Sequence, residues 1–255
     1  MDRRIDLSED ERLAWERDGF FVVPGLFDRD AVARISQWTE ELAAWPELPG
    51  RHMVYHEPSL IEPGTRLIQR IENFYPYHGE FRALIDGPAL RGRVAALFGQ
   101  PAVLFKDKIN FKLPGGDGFK PHQDQQAGWW NYAALFITAL VAIDASSEDN
   151  GCLEIAAGHH RRGLVGRAWE PLSPEEMAGM AFRAYPAAPG DAIFFDSFVP
   201  HRSGPNRTGA PRRALYITWN RQSDGDQRAR YYADKRESFP PDIERDPKKD
   251  YRFRV

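Results

Sequence analysis

Cysteine is nearly absent from the 255-residue chain, Cys152 being its one representative. That excludes an intramolecular disulfide framework and a zinc or iron–sulfur site built from several thiolates. Net charge is scarce as well: 34 Lys and Arg stand against 37 Asp and Glu, a net of −3. Such a balance supplies no field for a phosphate backbone, so nucleic acid is not an expected partner. No run approaches the ~18 apolar residues of a membrane span. The opening Met1-Asp2-Arg3-Arg4-Ile5-Asp6 lacks the apolar stretch of a secretory signal. Gly/Ser-rich linkers, internal repeats and low-complexity tracts are missing too. The expectation is a single cytoplasmic domain without membrane contact, monomeric or homodimeric, and enzymes, binding modules and scaffolds all fit it.

What is present is ordered in two textures. Ser8 and Glu11 have the spacing of a capping box, with Leu7 before them, so a helix is expected to Arg17, ended by Asp18-Gly19. Phe20-Phe21-Val22-Val23 reads as a strand closed by Pro24-Gly25, and Asp28 caps a helix with apolar residues at Val32, Ile35, Trp38 and Leu42. A third helix is expected from Ala89 to Phe98, before Gly99. From Ala102 onward the chain offers short β-branched and aromatic runs: 103–105, 108–112, 134–143, 151–156, 192–195 and 214–219. Pro, Gly, Asp and Asn separate them, as in a closed or double-sheet β architecture. The fold class is therefore mainly β with α decoration. A double-stranded β-helix (jelly roll, cupin-like) core over 101–222 follows a helical part over 1–100. The charged, aromatic tail over 223–255 packs on the body.

Among seven histidines, His122 stands out through its neighbour Asp124. In an extended segment side chains two apart share a face, so an imidazole and a carboxylate there can hold one ion. H-x-D alone is a common chance pattern. His201 follows another strand-like run, and the intervening chain is long enough for the two segments to be neighbours in a barrel. Two histidines and a carboxylate on one side of a metal leave the other side open, as in non-haem Fe(II) oxygenases; zinc is the competing metal. An arginine on the returning strand can bind the far end of a dicarboxylate through a two-point fork, with Ser203 adding a hydroxyl.

At this point the chain resembles the phytanoyl-CoA dioxygenase-like Fe(II)/2-oxoglutarate oxygenases. The resemblance runs from Asp18-Gly19-Phe20-Phe21 through Lys112, Pro114, His122-Gln123-Asp124, Asn150-Gly151-Cys152-Leu153-Glu154 and Gly158-His159-His160 to His201 and Arg212. It implies that His122, Asp124 and His201 bind iron, that Arg212 and Ser203 bind 2-oxoglutarate, and that Lys108 lies near the same co-substrate. Arg213 is the less favoured partner. The implied reaction uses O2 and 2-oxoglutarate to hydroxylate an unactivated C–H bond, releasing succinate and CO2. Two departures stand out. His159 replaces the serine of a frequent Gly-Ser-His, both His159 and His160 being read as loop residues, and Leu140 stands where many members have tryptophan. Retention of Asp124 argues for hydroxylation over halogenation. Arg70, Asn73, Tyr75, Gln125 and Trp129 are candidate substrate contacts, suited to a small polar metabolite. Arg70 to Phe74 and the tail over 231–243 are similar to members that hydroxylate small aminophosphonates; an amino-acid-like compound fits as well. The alternatives are a metabolite sensor on the same scaffold, a zinc or manganese isomerase or hydrolase, and an interaction domain.

Overall fold

The computed structural model describes residues 6–251; residues 1–5, part of the stretch expected to lack a leader, lie outside them. The elements run α1 (Glu9–Asp18), β1 (Phe20–Val23), α2 (Arg29–Ala44), β2 (Met53–Pro58), β3 (Arg66–Glu72), α3 (Gly79–Asp86), α4 (Arg93–Phe98) and β4 (Ala102–Asn110). They continue with β5 (Phe119–His122), β6 (Phe136–Ala142), β7 (Leu153–Ala156), β8 (Phe182–Tyr185), β9 (Ala192–Asp196), β10 (His201–Ser203), β11 (Ala214–Arg221) and α5 (Arg228–Ser238). Helix α1 begins at the expected reciprocal bonds between Ser8 and Glu11 and ends at Gly19, whose φ of 81° few other residues adopt.

Strands β1-β9-β6-β11-β4-β3-β2 form one antiparallel sheet, and β5-β10-β7-β8 a second. Alternation gives the larger sheet two faces. One carries Ile71, Ile109, Leu215, Val141 and Phe194, buried with Ile35 and Leu42 of α2 and Phe81 of α3. The other carries Leu140, Ile193, Phe195 and Ala214, which meet Leu153 and Ile155 of the smaller sheet. Two sheets packed in this way, with helices on the outside, are the expected double-stranded β-helix. Toward β3 and β4 the inner face turns polar. Glu72, Lys108 and Tyr216 are successive cross-strand partners, as are Lys106, Thr218 and Thr138.

Three details differ from the sequence reading. Besides the expected strand β1, residues 1–100 contribute β2 and β3 to the large sheet, two strands the sequence reading did not place. The helix expected from Ala89 is interrupted: Pro88–Gly92 form a wide π-type turn and α4 begins after it. Gly92 is a poor helix former at that junction. The runs 103–105 and 108–112 are one strand, β4. Charged Lys106 and Asp107 do not break it, because each finds partners on its own side: Glu72 for Lys106, and Arg228 for Asp107. Among the described residues no helix is long and apolar enough to cross a membrane.

Phe194 is fully buried and stacks on Phe21 with ring centroids 5.1 Å apart. Phe194→Ala is expected to lower unfolding free energy by about 3–5 kcal/mol. Urea titration measures it, and a loss below ~1 kcal/mol would contradict the packing described.

Candidate active site

Strands β5 and β10 pair so that His122 and His201 lie directly opposite each other. Their ring centroids are 4.3 Å apart. β5 can lie this close because Gly118 precedes it: a Cβ there would come within 2.2 Å of the Ser203 carbonyl oxygen. Gln123 is extended, so Asp124 returns to the face of His122 as a 3-10 turn begins. Asp124 Oδ1 is 3.9 Å from the Nε2 atoms of both histidines, and the three groups can place ligand atoms within 4.8 Å of one another.

Each histidine is oriented by the carbonyl two residues before it. Nδ1 of His122 is 2.6 Å from Lys120 O, and Nδ1 of His201 is 2.9 Å from Val199 O. A proton on Nδ1 leaves the Nε2 lone pair pointing inward, the form that binds metals. Burial and the neighbouring His201 push the His122 pKa down to about 3, so its imidazole is neutral and ready to ligate. Donors at about 2.1 Å from an ion on one side of it stand about 3 Å apart, so each histidine and Asp124 would close by about 1 Å on a metal. The donors fit a divalent iron.

The segment bearing Asp124 is clipped on both sides. Gln123 Nε2 donates to Gly163 O and Phe198 O, and Gln126 Nε2 to Arg167 O and Glu170 O. Gln125, expected to touch substrate, is buried and donates to Ala134 O and Ser197 Oγ. Thr138, linked to Thr218 at 2.8 Å, is 3.4 Å from Asp124 Oδ2.

The triad lies where two cavities meet. The larger, about 730 Å³, is lined by Arg70, Lys106, Lys108, Lys235, Trp129 and Tyr231 among others. The smaller runs past Lys108, Tyr216 and Ser203 to Leu153, and Leu153 also borders a narrow cleft that contains Arg212. Arg212 is 2% exposed, and its Nε and Nη2 donate to Gly151 O. Lys112 shares that carbonyl and donates to Ser203 Oγ at 2.7 Å and Gly204 O at 2.5 Å. Burial, with Arg212 beside it, lowers the Lys112 pKa to about 6. Lys108 is lowered to about 7 by burial and by Lys106. Arg213 turns to the outside, where Asp144, Glu40 and Ser36 hold it.

Arg70 and Trp129 thus lie in the cavity wall, whereas Asn73 and Tyr75 do not. Asn73 Oδ1 accepts from Arg228, and the Tyr75 hydroxyl donates to Asp86. The side chains of these two and of Gln125 bond neighbouring elements. His159 and His160 are loop residues outside the triad.

A profile of the family described as Phytanoyl-CoA dioxygenase (PhyH) matches residues 15–214. The chain belongs to this family. It is 40% identical to a 2-aminoethylphosphonate dioxygenase of uncultured bacterium HF130_AEPn_1, over 96% of this chain and 93% of that protein. Identity to a methylphosphonate hydroxylase of Gimesia maris is 36%, covering 91% and 88%. The fold is shared with EctD from S. alaskensis, solved with 2-oxoglutarate and 5-hydroxyectoine (TM-score 0.72, 23% identity, 86% and 77% covered). It is likewise shared with the epimerase SnoN (TM-score 0.70, 23% identity, 84% and 83% covered). As a PhyH-family protein with this triad, the chain is an Fe(II)/2-oxoglutarate-dependent dioxygenase. The sensor, zinc or manganese enzyme and interaction-domain readings are set aside.

Sequence reasoning did not single out Lys106, Glu72, Lys112 or Lys235 as site residues. Alternation along β4 from Lys108 reaches Lys106, and along β3 from Arg70 reaches Glu72. Nothing local marks Lys235.

The turn that delivers His201 depends on Asp196, whose Oδ1 accepts from Phe198 N at 2.7 Å. Burial raises this carboxyl from 3.8 to about 7. A raised folded pKa means that the folded state binds the extra proton, so stability present below pH ~4 is lost as pH rises through about 7. Asp196→Asn keeps the acceptor and removes that dependence. At pH 8 the variant is expected to be more stable than the parent, by on the order of 1–4 kcal/mol, and at pH 4 the difference disappears. Denaturant curves at both pH values check this; equal pH slopes for the two proteins would count against it.

Proposed function

We propose that the chain hydroxylates a C–H bond of a short phosphonate, 2-aminoethylphosphonate or a close alkyl relative, as a cytoplasmic monomer or homodimer. The observation that carries this reading is the charge of the larger cavity. Arg70, Lys106, Lys108 and Lys235 line it beside the triad, together with the carboxylates Glu72, Asp124, Asp234 and Asp250. The cations of such a mixed wall can meet the anionic end of a phosphonate, and its carboxylates an ammonium such as that of 2-aminoethylphosphonate. The two curated relatives described above, both named for phosphonates, support the same class.

In this reading His122, Asp124 and His201 hold the iron. The ferrous ion with 2-oxoglutarate supplies the oxidising power for an unactivated C–H bond, with succinate and CO2 as co-products. The remaining work belongs to the protein. Arg212 offers a fork to the distal carboxylate of the co-substrate, and Ser203 and Lys112 add donors at the same end. Lys108 stands between that end and the metal. The cations of the wall fix the anionic end of the substrate, so that one carbon faces the triad, and Trp129 shields the junction from water. Asn73, Tyr75 and Gln125 support the frame.

Succinate formation by the iron-loaded enzyme is expected to rise with 2-aminoethylphosphonate or methylphosphonate. Turnover with acyl-CoA thioesters or amino acids alone would overturn the substrate class. Arg212→Lys keeps charge and loses the fork, and should raise the KM for 2-oxoglutarate about 10- to 100-fold while Fe(II) affinity stays unchanged. An unchanged KM would remove Arg212 from its role.

A further inference from the structure

The two imidazoles of the triad are turned by backbone carbonyls through Nδ1. A carboxylate has no second nitrogen to tie, and its terminal torsion is broad, so fixing the main chain leaves the carboxyl plane free to rotate. The bonds of Gln123 and Gln126 hold the backbone around Asp124 and reach neither of its oxygens. Among the described residues Thr138 is the one hydrogen-bond donor to that carboxylate, its Oγ1 standing 3.4 Å from Oδ2. The other oxygen, Oδ1, faces both histidines at 3.9 Å from each Nε2.

Thr138 belongs to the rigid floor of the site. Strands β6 and β11 are paired so that Thr138 and Thr218 are direct cross-strand partners, with their hydroxyls 2.8 Å apart. Both are 2% exposed, and both line the smaller cavity beside the triad. A threonine pair across two strands is ordinary sheet chemistry and by itself signifies nothing more. Here the protons decide. Two hydroxyls bring two protons, and the bond between them uses one. Among the described residues the only further bond of either hydroxyl is that of Thr138 to Asp124. A buried hydroxyl proton without an acceptor is costly. The arrangement that places both protons runs from Thr218 to Thr138, and from Thr138 to Oδ2.

We propose that Thr138 is a positioning residue for the iron centre. Its hydroxyl, oriented by Thr218, engages Oδ2 of Asp124, so that the carboxylate offers Oδ1 alone to the metal. A carboxylate that gave both oxygens would take up one of the positions that a facial triad leaves open for co-substrate and O2. Each of the three ligands then has one outer partner that fixes its orientation, two of them backbone carbonyls and the third a side chain. This assignment concerns the metal side and stands apart from the choice of substrate.

The test is anaerobic titration of the metal-free protein with Fe(II), and with Co(II) as a coloured probe of the ligand set. Thr138→Val keeps the shape and removes the hydroxyl, Thr138→Ala removes the hydroxyl and leaves space, and Thr138→Ser keeps the hydroxyl. Losing the outer partner of a metal ligand costs about 10- to 100-fold in affinity, and a bond this long puts the loss expected for the Val and Ala variants near ~10-fold. Their Co(II) absorption should differ in intensity from that of the parent, because a carboxylate free to turn can add its second oxygen. Thr138→Ser should restore both the affinity and the spectrum, which a role in packing alone would not predict. Fe(II) affinities within about twofold of the parent in both Val and Ala variants would overturn the role of Thr138. A loss confined to one of those two, or an equal loss in Thr138→Ser, would overturn it as well, since shape and not the hydroxyl would then be responsible. Failure of the parent to bind Fe(II) would overturn the metal site itself.

Discussion

The antiparallel register of β5 against β10 is the constraint on which the centre depends, since it sets His122 opposite His201. A slip of one residue on either strand would send one imidazole to the other face of the sheet. Several features hold the register. Gly118 permits the close approach of Ser203, Gln123 ties the β5 segment to Phe198, and each histidine uses its Nδ1 on the carbonyl two residues earlier. The repeated bond matters because it fixes ring orientation from within each strand. The two imidazole donors are thereby aligned by backbone carbonyls.

Charge is arranged on both sides of this centre in the same sense. On one side Arg212 and Lys112 share the Gly151 carbonyl, Lys112 also donates to the Ser203 hydroxyl, and neither has a carboxylate among its bonded partners in the described residues. On the other, Arg70, Lys106 and Lys235 share Glu72. Buried cations in excess either give up protons, as the lowered pKa values of Lys112 and Lys108 show, or retain them when an anion arrives. Each side therefore gains more from an anionic guest than an exposed lysine would. The two cavities differ in room, because the narrow cleft beyond Leu153 admits little beside the arginine.

Much of this was legible in the sequence, and the reasons are physical. The triad could be read because metal ligation restricts residue type, and because alternation across Gln123 makes His122 and Asp124 a pair before any tertiary contact is known. The caps of α1 and α2 were legible because capping is local chemistry. Strands β2 and β3 were harder, since their burial comes from joining the edge of a sheet laid down by later parts of the chain. Asn73 illustrates the limit on the site. Its type suits substrate recognition, but its φ of 59° and its bond to Arg228 commit it to holding α5. Lys235 is the converse case, an ordinary helical lysine whose importance lies in Glu72, 163 residues away along the chain.

That separation explains why the tail is aromatic. A helix that contributes one charged group to a cavity must present it from a fixed origin, or the entropy of positioning would cancel the gain. Tyr231 and Tyr232 are buried, Tyr231 packs on Phe105 at 4.5 Å, and Phe239 stacks on Tyr55 at 5.5 Å. The Tyr55 hydroxyl then bonds the Phe239 carbonyl at 2.9 Å. These contacts bolt α5 to β2 and β4, the strands next to and bearing the cationic wall. The same rings lie beside the ammonium of Lys235, so the residues that fix the helix also shape the space in which its charge can turn. A helix that follows the family match is in this way anchored by apolar surface into the wall of the cavity beside the triad.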